Sequence, residues 1–228
     1  MRSWLALCLW LCFASFAWST PTVICLDPGH PSEVGPGTRG KVLTEMGFAW
    51  TIAKQLERQL QKEGFKVVMT KSSEKQHVTN RERAQIANRS KAALMLRLHC
   101  DYAPGESGFA TFFADTKGKQ GNETGPSDAV LDQVRPMAKA FHIAATKELK
   151  GKLGDRGLRT DRQTAVGKKY GALIGSIFSE VPSVLVEMCV LNNPKDEKWV
   201  RTEAGKSQMV RALLAGIRAA LGARLEPK

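Results

Sequence analysis

An apolar run, Val23-Ile24-Cys25-Leu26, breaks off into Asp27-Pro28-Gly29-His30. The four apolar residues suit a buried strand. Pro28 cannot continue a ladder and Gly29 frees the backbone, so the strand has to end there. In an open α/β sheet the loop just past the carboxyl end of a strand is where ligands bind. An imidazole held at such a loop is well placed to bind a metal. A capped turn with an exposed His would have the same sequence, so the rest of the chain has to decide between them.

Beyond this break the chain opens a βαβ unit. A helix is predicted from about 45 to 62: Thr44 is a fair N-cap, and Ala49, Ile52, Ala53, Leu56 and Leu60 recur at helical spacing. Gly64 stops it and residues 65–70 form a second strand, which makes the sheet at least partly parallel. Further strands are predicted at 92–98, 108–114 and 183–188, and helices at 79–90, 128–149, around 163–170 and 203–221. Residues 115–127 read as a polar loop and 151–162 as a basic, glycine-containing loop. No repeat and no linker divides the chain. The expected fold is α/β: a single domain, with a mixed, mostly parallel sheet and helices on both faces.

Residues 1–19 have the pattern of a signal peptide. Arg2 is their only charge, Trp4 to Phe13 is an apolar run too short to span a bilayer, and Ser15, Ala17 and Ser19 offer cleavage positions. Setting Arg2 aside leaves 33 basic against 22 acidic residues, a net charge of +11. That charge favours an anionic partner, which for an exported chain means wall polymers or lipid headgroups rather than nucleic acid. No second hydrophobic segment would hold the mature chain in a membrane, and a monomer is expected. Cys25, Cys100 and Cys189 have no CxxC spacing, so they allow one bridge at most and no disulfide scaffold. Cys25 and Cys189 lie in apolar runs and are expected as buried thiols.

Three predicted strand ends deliver His30, His99 and Glu187, and Glu45 opens the first helix 15 residues after His30. The amide dipoles of a first helical turn keep an acid there ionised. Two imidazoles and one carboxylate with an open fourth position are the ligand set of a catalytic zinc site. Zinc lowers the pKa of its water to roughly 7, and a nearby carboxylate can then take the proton. Glu187 suits that task, because Val184-Leu185-Val186 would desolvate it and raise its pKa. Each residue alone also has a bland reading: a structural His, a Glu supporting a helix start, a salt-bridged edge Glu. Their joint placement at strand and helix ends favours the metal site.

The chain resembles the zinc-dependent N-acetylmuramoyl-L-alanine amidases of the amidase_3 type, from Val23 to about Leu221. The ordered motifs are Leu26-Asp27-Pro28-Gly29-His30 followed by a glycine-rich loop and Glu45, and Arg83-x-x-x-x-Asn88 leading to Leu98-His99-Cys100-Asp101. Gly108 with the aromatic strand 109–113 and Asp155-Arg156-Gly157-Leu158 come next. Pro182-Ser183-Val184-Leu185-Val186-Glu187 and Leu191-Asn192-Asn193-Pro194 with Glu197 close the series.

The resemblance implies that residues 20–228 form a zinc amidase domain, with His30, Glu45 and His99 as Zn2+ ligands and Glu187 as the catalytic carboxylate. The implied reaction cleaves the amide between N-acetylmuramic acid and the L-alanine of the stem peptide, in peptidoglycan, in the periplasm or outside the cell. Asp27 is placed to orient the His30 loop, and Arg156 is expected at the substrate.

The chain departs from the family pattern in places. Pro31-Ser32 stands where the family has Gly-Gly, and Arg97 stands two residues before His99 where it has Ser. Arg97 and His99 share a strand face. Arg97 is therefore a candidate for a substrate carboxylate, or else an internal ion-pair partner. His30-x-x-Glu33 matches the spacing of zinc carboxypeptidases, in which Glu33 would replace Glu45 as ligand. A stem-peptide peptidase is thus one alternative, and a non-catalytic basic wall-binding module is another.

Overall fold

The computed structural model describes residues 21–225, so the expected signal peptide lies outside the described residues. The described residues form strands β1 (Val23–Pro28), β2 (Lys66–Met69), β3 (Leu94–Asp101), β4 (Phe109–Phe113), β5 (Gly118–Gln120), β6 (Glu123–Gly125), β7 (Asp155–Thr160) and β8 (Ser183–Val190), together with seven α-helices. These are α1 (Glu45–Lys62), α2 (Asn80–Arg89), α3 (Asp128–Leu149), α4 (Ala165–Tyr170), α5 (Ile174–Ile177), α6 (Pro194–Val200) and α7 (Glu203–Leu225).

Six strands form one sheet in the order β2-β1-β3-β8-β4-β7, and β5 and β6 form a separate hairpin. β2, β1, β3 and β8 run parallel, whereas β4 pairs antiparallel with β8 and parallel with β7. The expected mixed, mostly parallel sheet is therefore found, with its direction reversing between β8 and β4.

The period-two alternation of the strands sorts the core. Ile24, Leu26, Leu94, Leu96 and Leu98 pack with the apolar stripes of α1, α3 and α7. Cys25 and Met95 face the other way and meet Ala87 of α2, so helices cover both faces. No helix among the described residues is long and apolar enough to cross a membrane.

The hairpin β5–β6, β7, α6 and the single turn of α5 were not predicted. β7 occupies what reads as a basic loop, because Asp-Arg-Gly-Leu-Arg-Thr carries charge and glycine and only its ladder with β4 makes it a strand. The β5–β6 hairpin lies in the stretch read as a polar loop. α6 does carry a start signal in Asn193-Pro194: the Asn193 side chain accepts from the Lys195 and Asp196 amides, and Pro194 needs no donor there.

Candidate metal centre and active site

β1, β3 and β8 are adjacent and parallel, so their carboxyl ends share one edge of the sheet. His30 follows β1, His99 lies near the end of β3, and Glu187 on β8 is in register with His99. Glu45 arrives from outside the sheet as the first residue of α1, capped by the Thr44 hydroxyl. The glycine-rich loop folds back to bring it there, with the Glu45 amide donating to the Thr38 carbonyl at 2.9 Å.

One donor atom each from His30, Glu45 and His99 lies within 4.8 Å of the others, a group that could hold a metal ion. Glu45 Oε1 is 2.8 Å from His99 Nδ1 and 3.4 Å from His30 Nε2. Glu45 Oε2 accepts from the Thr38 amide at 2.7 Å. His30 Nδ1 donates to the Gly35 carbonyl at 2.9 Å, which leaves Nε2 free to ligate. His99 Nε2 is buried without a hydrogen-bond partner.

A cation fits these observations. Burial alone would raise the Glu45 carboxyl, but its hydrogen bonds with His30 and His99 outweigh burial and hold it below the carboxylate range. Burial lowers His99 and so favours the neutral imidazole that metals bind. The pocket is also shaped by glycine: a Cβ on Gly29 would lie 2.6 Å from the His99 ring, and one on Gly37 would lie 2.7 Å from the His30 ring.

Glu187 is partly buried, and its Oε2 is buried with no hydrogen-bond partner. Burial, and after it the charges of Glu45 and Asp101, push its carboxyl well above the carboxylate range. A cavity of about 430 Å³ opens beside it, lined among others by His30, His99, Arg97, Tyr102 and Arg156.

Glu33, the rival ligand, is turned elsewhere: it accepts from the Asn80 amide at 2.9 Å and from the Asn80 side chain at 3.0 Å. Arg97 lines the cavity and is also the ion-pair partner of Asp27, with Nε 3.0 Å from Asp27 Oδ2 and Nη2 2.5 Å from Asn80 Oδ1. Arg156 lines the cavity from β7.

Asp27 is fully buried, and its contact with the His30 loop runs through Arg83. Arg83 Nη1 meets Asp27 Oδ1 at 2.6 Å and the Pro28 carbonyl at 2.8 Å, and Nη2 meets the Pro31 carbonyl at 3.0 Å. Burial would raise Asp27, but Arg83 and Arg97 hold it below the carboxylate range. Lys71 donates to the His30 and Glu74 carbonyls. This fastens a His30 backbone at φ +53°, a left-handed conformation costly for any residue but glycine. On the other side of Glu45, Glu197 accepts from the amides of Lys41, Val42 and Leu43 and fixes the loop that leads into α1.

Sequence reasoning missed these supports. Arg83 and Glu197 stood only as motif positions, and nothing local marks Lys71, because its partners in the His30 loop lie about 40 residues away. The three cysteines are buried free thiols, with Cys100 and Cys189 Sγ atoms 3.7 Å apart behind the site.

Fold and site together define an α/β domain with the donor set of a hydrolytic metal centre at the carboxyl edge of its parallel strands. Residues 24–219 match the Amidase_3 family, described as N-acetylmuramoyl-L-alanine amidase, and the chain belongs to that family. It is 27% identical over 225 residues to N-acetylmuramoyl-L-alanine amidase AmiC of Escherichia coli, covering 87% of this chain and 52% of that protein. It is 26% identical over 200 residues to the probable cell wall amidase LytH of Staphylococcus aureus, covering 86% and 57%. The chain thus spans little more than half the length of these relatives.

Among solved structures, the apo N-acetylmuramyl-L-alanine amidase Ami1 of Mycobacterium abscessus superposes with a TM-score of 0.72 at 22% identity, over 88% of this chain and 98% of that one. AmiC2 of Nostoc punctiforme gives 0.71 at 20% identity, over 90% and 99%. At such identities these two likenesses establish the fold.

Proposed function

We propose that this protein is a zinc-dependent N-acetylmuramoyl-L-alanine amidase that hydrolyses peptidoglycan in the cell envelope, as a monomer freed of residues 1–19. The observation that carries the proposal is the His30, Glu45 and His99 donor group with Glu187, whose Oε2 is buried and unpartnered, in register beside it. His30, Glu45 and His99 would hold the zinc. A bound zinc ion supplies Lewis acidity for the amide carbonyl and lowers the pKa of water.

Glu187 accepts the proton of the attacking water and hands it to the leaving amine. The C–N bond breaks, the water oxygen stays on the lactyl carbonyl carbon as a carboxylate, and the stem peptide leaves with a free L-alanyl amine. Burial suits Glu187 to the second half of this task, since a raised pKa lets it hold the proton until the amine takes it. Asp27 and Arg83 keep the His30 loop in place. Arg156 faces the substrate, and Arg97 joins the cavity wall to Asp27.

The test is digestion of purified sacculi by the zinc-loaded protein, with and without a chelator. Intact stem peptides with free L-alanyl amines are expected, and chelation abolishes their release. Release of shortened peptides instead would favour the peptidase reading, and no release by the zinc-loaded protein would defeat the proposal.

A further inference from the structure

The wall of the cavity away from the His30–Glu45–His99 group carries two arginines that converge on one exposed carboxylate. The register explains how the first gets there. Phe109 pairs with Asp155 and Thr111 with Leu158, so a bulge leaves Arg156 and Gly157 facing Ala110, and Ala110 in turn pairs with Glu187. Yet Arg156 Nη2 bonds Asp101 Oδ2 at 2.7 Å, and Asp101 ends β3, on the far side of β8. The Arg156 side chain therefore ties β7 to the end of β3 at the cavity wall. It is 6% exposed, and its Nη1 is buried with no partner.

Arg159 is tied to the same residue: its Nε donates to the Arg156 carbonyl at 2.9 Å. Both guanidiniums meet Glu106 Oε2, Arg156 Nε at 2.5 Å and Arg159 Nη2 at 3.6 Å. Glu106 belongs to the β3–β4 connection, next to Gly105 at φ +81°, and its side chain is 45% exposed. All three residues line the cavity that also holds His30, His99 and Glu187. Without Glu106, the two guanidiniums would have Asp101, bonded to Arg156, as their one carboxylate partner, which leaves the slot net positive. An exposed acid is inexpensive to displace from such a slot, and a planar guanidinium pair selects carboxylates.

We propose that Arg156 and Arg159 form a carboxylate fork at the rim of the cavity, that Glu106 fills it in the free protein, and that a free carboxylate of the stem peptide, close to the L-alanine, takes its place. This assignment rests on the amidase reading above. It makes the enzyme specific for stem peptides whose residue after L-alanine carries an ionised carboxyl group rather than a carboxamide.

The test uses the zinc-loaded protein and two soluble N-acetylmuramoyl-L-alanyl peptides that differ only in that group. The free acid is expected to be cleaved with at least about tenfold higher kcat/KM, a factor worth about 1.4 kcal/mol. Arg159→Gln brings the ratio close to one, Arg159→Lys restores part of it, and Glu106→Gln lowers KM for the acidic peptide. Equal kcat/KM for the two peptides in the wild type overturns the fork while leaving the amidase standing. So does an undiminished ratio in Arg159→Gln, or a raised KM for the acid in Glu106→Gln. Cleavage of neither peptide overturns the amidase reading and the fork with it.

Discussion

Replacing Glu187 with Gln should cost the protein its chemistry and make its metal-free fold more stable. The folded state holds the Glu187 carboxyl well above the carboxylate range, first through burial and then through the charges of Glu45 and Asp101. In the unfolded chain it titrates near about 4.3. Between those two values the native state binds the extra proton, so wild-type stability falls as pH rises through the window. Gln keeps the shape and has no such slope.

Ionising the carboxyl where Oε2 has no hydrogen-bond partner costs the wild type about 1.4 kcal/mol for each pH unit climbed through that window, a cost the neutral Gln amide does not carry. Metal-free Glu187→Gln should therefore be more stable than the metal-free wild type at pH 8, by about 1.4 kcal/mol or more. In a domain of this size that raises Tm by roughly 2–4 °C per kcal/mol. At pH 4 both side chains are neutral and the two proteins should unfold together. Urea unfolding of both proteins at pH 4, 6 and 8 measures the difference. Turnover of the zinc-loaded variant on soluble muramoyl peptides should fall by about 10²–10⁴-fold, the usual contribution of a general base. An advantage that does not grow between pH 4 and 8, or turnover within tenfold of wild type, would refute the reasoning.

Metal content should separate the two candidate acids. Glu45→Gln loses zinc on dialysis while Glu33→Gln keeps it, because Glu33 is bonded to Asn80; zinc retained by Glu45→Gln contradicts the ligand set. Asp27→Ala strands Arg83 and Arg97 in the interior. Removing one partner of a buried ion pair costs about 3–5 kcal/mol, and a loss under about 1 kcal/mol in urea unfolding would show that the network does not hold the site.

Much of this molecule can be read locally. Helices α1, α2 and α3 begin within a residue of their predicted starts, because Thr44, Thr79 and Ser127 are N-caps and the apolar spacing behind them is regular. The chemistry-bearing residues were visible because His30, His99 and Glu187 follow apolar runs that stop short and Glu45 follows the N-cap Thr44. β7 was not, since its composition opposes a strand and only pairing with β4 overrides that. Nor was the choice between Glu33 and Glu45: both follow His30 at workable spacings, and the loop between them has to close before either can be assigned.

The sequence by itself determined five of the eight described strands, the caps of the long helices α1 and α3, and a set of imidazoles and carboxylates at strand and helix ends, because those depend on periodicity and on residues within a turn of each other. Tertiary structure alone decided that β1, β3 and β8 lie side by side, that Asp27 binds two arginines from distant segments, and that Arg156 of β7 meets Asp101 at the end of β3. Strand order and register arise from packing among segments far apart in the chain, and no local pattern carries that information.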